Sequence, residues 1–146
     1  MKLVTETIKP MIDKAYRTKP GRETTYTGGS SAGGLISFML AWEYPNIFSG
    51  ALCMSPAFKI ATIDYVSPVE NSTKKKPVFF YIDNGGVDLE SRLQPGVDEM
   101  LVALKSKGYR EGKDFVFVSD PNARHFEAAW AKRFPAAVKL LLSKHK

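Results

Sequence analysis

Ser31 lies between glycines in the run Thr27-Gly28-Gly29-Ser30-Ser31-Ala32-Gly33-Gly34, and the spacing Gly29-x-Ser31-x-Gly33 is that of a nucleophile elbow. In such an elbow a serine sits on a sharp turn between a strand and a helix, with its hydroxyl projecting above the sheet. The glycines remove side chains that would clash with a strained backbone. Three fixed positions recur by chance in about one in twenty chains of this length, so the motif depends on its setting. The setting is favourable. Glu23 to Thr27 is a short β-branched and aromatic run, and Leu35, Ile36, Phe38, Met39, Leu40 and Trp42 read as a largely buried helix ending before Pro45. The plainer alternative is a glycine-rich turn capped by a serine.

A serine hydroxyl attacks effectively only when a base takes its proton. His125 is the candidate base, because His145 lies in the C-terminal tail. The plainer role for His125 is to cap the last helix. A catalytic imidazole also needs a carboxylate to fix its tautomer and stabilise its cation. Asp83 ends a strand, Asp88 lies five residues on in the loop Asn84-Gly85-Gly86-Val87, and Asp120 is nearest His125 in sequence. A loop carboxylate has reach, which favours Asp88; Asp83 would then hold the loop backbone, and Asp120 ranks third. The chain order serine, acid, histidine is that of the α/β-hydrolases. A calcium site from Asp83, Asp88 and Glu90 lacks the spacing of an EF-hand, and two histidines with one cysteine are too few for a zinc cage.

These residues need a frame. Thr5 to Arg17 carries Ile8, Met11, Ile12, Ala15 and Tyr16 at helical spacing, with Pro10 marking a kink or the true first turn. After a turn at Thr18 to Arg22 come the strand Glu23 to Thr27, the elbow and its helix. Ser49 to Ser55 is a nearly continuous apolar strand, as expected when helices cover both faces. Ala57 to Lys76 reads as loop, Pro77 to Asp83 as the clearest strand, Leu93 to Lys107 as an amphipathic helix closed by Gly108, and Asp114 to Ser119 as the fourth strand. Phe126 to Leu142 is a last helix, bent or restarted at Pro135. This alternation predicts an α/β fold, a parallel sheet of about four strands with flanking helices, in one domain over residues 1–146. Ligands of such sheets bind beyond the carboxyl ends of the strands, where Ser31, Asp83, Asp88 and His125 all fall.

With 44% hydrophobic and 25% charged residues the chain has an ordinary globular composition. The single cysteine, Cys53, excludes an internal disulfide and reads as a small buried hydrophobe. The net charge of +6 comes largely from Lys74 to Lys76, Lys105, Lys107 and the Lys144-His145-Lys146 tail. Without interleaved aromatic residues these read as solvated surface, so no nucleic-acid partner is expected. No stretch is long enough to span a membrane and no apolar leader is present, which suggests a cytoplasmic protein if Met1 is the native start.

Several motifs in order carry a family resemblance. Met11 to Thr18, Gly28 to Leu35, Tyr44-Pro45-Asn46-Ile47-Phe48, Ile82 to Asp88 and His125-Phe126-Glu127-Ala128-Ala129-Trp130 resemble segments of the esterase D and enterochelin-esterase-like branch of the α/β-hydrolases. The match runs over nearly the whole chain and is to the C-terminal half of that fold. It departs from the family at Ala123-Arg124, where glycines often precede the histidine. The resemblance implies a serine esterase acting on a small-molecule ester through Ser31, His125 and Asp88, with the Ala32 N–H in the oxyanion hole and no metal or organic cofactor. It also implies that a preceding portion of the fold would supply a neighbour for the first strand and a second oxyanion donor. A homodimer, or association with a missing N-terminal portion, is therefore expected. The competing expectation is a catalytically weak half-domain that serves as an oligomerising or binding module. Acyl transfer to another acceptor, or thioester cleavage, would use the same residues.

Overall fold

The four-stranded parallel sheet is present in the computed structural model, which describes residues 1–144. Its strands are β1 (Tyr26–Ser30), β2 (Gly50–Met54), β5 (Phe79–Gly85) and β6 (Phe115–Asp120), in the order β1-β2-β5-β6. Two short strands, β3 (Lys59–Ile60) and β4 (Ile63–Asp64), form a separate antiparallel ribbon. The helices are α1 (Lys9–Ala15), α2 (Ala32–Glu43), α3 (Val66–Glu70), α4 (Leu89–Ser106) and α5 (Glu127–Ser143). A π-helical stretch, Leu3–Ile8, leads without a break into α1, whose second residue is Pro10.

Three elements differ from their sequence-based outlines. The first strand begins three residues later than expected, because Arg22–Thr24 closes a 3-10 turn instead. The stretch read as loop, Ala57 to Lys76, contains the β3–β4 ribbon and α3, pieces too short to show a period. α4 starts at Leu89 rather than Leu93 and carries Pro95 inside it. The apolar side of α1 is also uncovered: Ile8, Met11, Ile12 and Tyr16 are all exposed.

The two faces of the sheet are packed unequally. On one face α2, α3 and α4 bury a cluster built on Phe38, whose ring stacks on Phe80 at 4.3 Å and meets Phe58 edge-on at 5.0 Å. α2 is apolar almost all round, as a helix wedged between sheet and neighbours must be. On the other face, among the described residues, α5 alone lays Ala137 and Leu141 over Leu52, Met54, Phe79 and Tyr81. Cys53 is fully buried, and burial pushes its thiol pKa up. Among the described residues β1 pairs with β2 on one side only, so it forms an edge of the sheet.

Register then aligns the carboxyl ends. Ser30 lies opposite Met54, and Met54 opposite Asp83, so Ser31 and Ser55 each occupy the first position beyond their strands. Phe38 is fully buried against four aromatic rings, and Phe38→Ala should lower unfolding stability by about 3 to 5 kcal/mol, read as an earlier urea midpoint. A loss below about 1 kcal/mol would show that this cluster does not hold α2 to the sheet.

Candidate active site

Ser31 has φ 57° and ψ −123°, a conformation that L-residues rarely adopt. The strain is held in place from several sides. Its N–H donates to the Met54 carbonyl at 2.9 Å, and its own carbonyl accepts from Leu35 at 3.1 Å and Ala57 at 3.3 Å. The turn is tight enough that a Cβ at Gly29 would lie 2.7 Å from the backbone of Gly33, and one at Gly34 2.9 Å from the Met54 carbonyl. Only glycine fits at these two positions, whereas a Cβ at Gly33, the last residue of the motif, would meet nothing within 4 Å. Ala32, the next residue, opens α2, so its N–H has no intrahelical acceptor and adds to the positive end of the helix dipole.

His125 sits in the loop between β6 and α5. Its Nε2 lies 2.8 Å from the Ser31 hydroxyl oxygen, and its ring meets Trp130 edge-to-face with centroids 4.9 Å apart. The loop is braced against the one that follows β5: the N–H groups of Gly86 and Val87 both donate to the Ala123 carbonyl, at 3.2 and 3.1 Å. The structure thus brings together Ser31 and His125, 94 residues apart in sequence. His145, set aside as a candidate base, lies outside the described residues.

The carboxylate nearest the imidazole is not the one expected. Asp88 has φ 58° and immediately precedes α4, with its side chain turned to solvent and paired with Arg124 at 3.2 Å. In its place Glu90, fully buried in the first turn of α4, has Oε1 3.4 Å from His125 Nδ1. The Ser55 hydroxyl donates to that same oxygen at 2.6 Å. Asp83 is engaged elsewhere: Arg133 donates to its two oxygens at 3.1 Å each, and the Ser55 N–H donates to Oδ1 at 3.1 Å. Burial pushes the Asp83 carboxyl above the usual carboxylate range, against the pull of the Arg133 guanidinium. Asp120 comes no nearer than 3.9 Å to Arg133 and makes no recorded contact with His125.

Glu90 carried a signal that the late helix boundary concealed. Positions 90, 93, 97, 100 and 104 form one stripe of α4, and Glu90, Leu93, Val97, Met100 and Leu104 are all buried. Extending the apolar stripe one turn back from Leu93 places a carboxylate at its head. A buried carboxylate there needs partners: Ser55 donates to Oε1 and His125 Nδ1 stands 3.4 Å from the same oxygen, while Oε2 and Nδ1 have no hydrogen-bond partner among the described residues. Among the described residues no group of three or more histidine, cysteine, aspartate or glutamate side chains is arranged to hold a metal ion.

Two open hollows lie beside the loops that carry the pair, though neither is lined by Ser31 or His125 themselves. One, of about 240 Å³, lies between the elbow strand and α5 and is lined by Gly29, Ser30, Met54, Trp130 and Phe134. The other, of about 360 Å³, flanks the histidine loop and includes Arg124, Phe126 and Lys132.

Residues 2–141 match the family model described as putative esterase. The chain belongs to that family. Solved esterases share its fold. A ferulic acid esterase superposes with a TM-score of 0.84 at 17% identity, over 98% of this chain and 60% of its own. The enterobactin esterase of Shigella flexneri gives 0.80 at 13% identity, over 96% of this chain and 37% of its own. The S-formylglutathione hydrolase of Staphylococcus aureus gives 0.74 at 15%, over 94% and 59%. The family member described here thus spans well under two thirds of the length of these structures. No curated protein is similar enough in sequence to count as a relative.

The strained serine makes a stability prediction. Ser31→Gly and Ser31→Ala both remove the contact to His125, but only glycine accepts φ 57° without cost. The glycine variant should unfold at a urea midpoint corresponding to about 1 kcal/mol more stability than the alanine variant. Equal midpoints would mean that the elbow stores no strain.

Proposed function

We propose that this chain is a serine carboxylic-ester hydrolase that works through an acyl-enzyme, with Ser31 as nucleophile and His125 as the base that becomes the acid. Glu90 is the carboxylate that orients His125. The observation that carries this reading is the 2.8 Å approach of His125 Nε2 to the hydroxyl of a serine held at φ 57°. Membership of the esterase family and the esterase fold of the solved neighbours support it.

The chemistry follows from those positions. His125 takes the Ser31 proton through Nε2 as Oγ attacks the ester carbonyl, and the tetrahedral oxyanion forms next to the Ala32 N–H at the positive end of α2. The imidazolium is stabilised at Nδ1 by buried Glu90, and gives its proton to the departing alcohol. Water then attacks the acyl-serine with His125 again as base, releasing acid and free serine. The hollow beside Trp130 and Phe134 suits an apolar part of the ester, and that beside Arg124 and Lys132 suits a polar or anionic part.

Labelling with a fluorophosphonate, followed by intact mass, tests the assignment. Wild type should take up one adduct, Ser31→Ala none, and His125→Ala should react at least about 1,000-fold more slowly. Glu90→Gln should slow labelling by about 10-fold or more, while Asp88→Asn stays within about 3-fold of wild type. The reverse ranking of the two carboxylates would return the acid role to Asp88. A folded wild type that takes no adduct would put the binding-module reading first.

A further inference from the structure

Ser55 repeats, one strand over, the backbone peculiarity of Ser31. It follows β2 as Ser31 follows β1, has φ 43°, and is fully buried. Its hydroxyl is used to capacity. It donates to Glu90 Oε1 at 2.6 Å and accepts from Trp130 Nε1 at 2.9 Å and from Arg133 Nη2 at 3.1 Å. One donor and two acceptor sites are all that a hydroxyl has, so its rotor is fixed with its O–H directed at Glu90 Oε1. A residue that needs only to turn the chain at φ 43° would be glycine.

We propose that Ser55 is a positioning residue for the ester-cleaving site: it pins the Glu90 carboxylate so that Oε1 faces His125 Nδ1 and fixes the imidazole tautomer that leaves Nε2 free to take the Ser31 proton. This rests on the reading of Ser31, His125 and Glu90 given above. Three features support it. The bond to Glu90 is short and charge-assisted, the strongest kind a neutral donor makes. The same oxygen of Glu90 serves both Ser55 and His125, so a change in its position is felt directly at Nδ1. Trp130 joins the two, since its indole N–H is held by Ser55 while its ring edge packs against the imidazole. Arg133 supplies positive charge to the hydroxyl from behind and stays anchored by Asp83 whether or not the hydroxyl is present.

The test uses Ser55→Gly, because glycine accepts φ 43° and the backbone N–H to Asp83 is retained, so the fold is spared. With p-nitrophenyl acetate as probe, kcat should fall by about 10- to 100-fold with KM within about 2-fold of wild type. In the Glu90→Gln background the same substitution should cost less than about 2-fold more, since a residue acting through Glu90 has nothing left to act on. Spectra of nitrogen-labelled histidine give a readout that does not need turnover: wild-type His125 should show its proton on Nδ1, and Ser55→Gly should show a mixture of tautomers. Full multiplicative loss in the double variant, or an unchanged tautomer and kcat in Ser55→Gly, would overturn the proposal. If wild type fails to turn over the ester, the hydrolase reading falls, and the tautomer alone decides whether Ser55 positions the imidazole.

Discussion

The buried pair of Arg133 with Asp83 ties this molecule together across its thinnest layer. α5 is the only described helix on its face of the sheet, and the loop that carries His125 leads straight into it. Two bonds of 3.1 Å fasten α5 to the end of β5, and the same aspartate receives the backbone N–H of Ser55 at the end of β2. Taking both charges out of water is costly, and the bonds from Nε and Nη2 to the carboxylate offset part of that cost while Nη1 has only Asp120 at 3.9 Å. Losing one partner would strand the other's charge, a penalty typically of about 3 to 5 kcal/mol and thus a large part of a domain's stability. The pair holds the site in register rather than performing its chemistry.

The parallel sheet was legible because long apolar strands and helical crossovers have strong periods. The turn at Ser31 was legible from its run of glycines, of which 29 and 34 have no substitute because backbone lies too close, while Gly33 has room for a side chain. The carboxylate that lies beside His125 was not, and the reason is local. Asp88 is the aspartate whose place in the loop matches the family pattern, yet a positive φ at that residue turns its side chain outward and starts the helix one residue later. Which way a loop carboxylate points depends on one dihedral angle, and composition around it says little about that angle. Glu90 was visible only as an extra charge at the head of an apolar stripe. The ribbon and α3 escaped because their elements have two and five residues, too few to repeat.

Fold and site carry different information here. Identities of 13 to 17% with solved esterases coexist with close superposition, so the sheet and its crossovers have outlasted most of the residues that build them. Such a scaffold by itself is compatible with many chemistries. What narrows the reading is a handful of atoms beyond the strand ends: a hydroxyl, two imidazole nitrogens and one carboxylate oxygen in sequence, each within 3.5 Å of the next.

The span of 94 residues between Ser31 and His125 also orders events in time. A chain emerging from the ribosome exposes its serine early, while the imidazole follows only after β6 has been made. Until α5 docks, Trp130 and Arg133 are also absent from the site. A nascent or C-terminally clipped chain therefore holds Ser31 without its imidazole partner, and under the function proposed above its hydroxyl stays unactivated until β6 and α5 are in place.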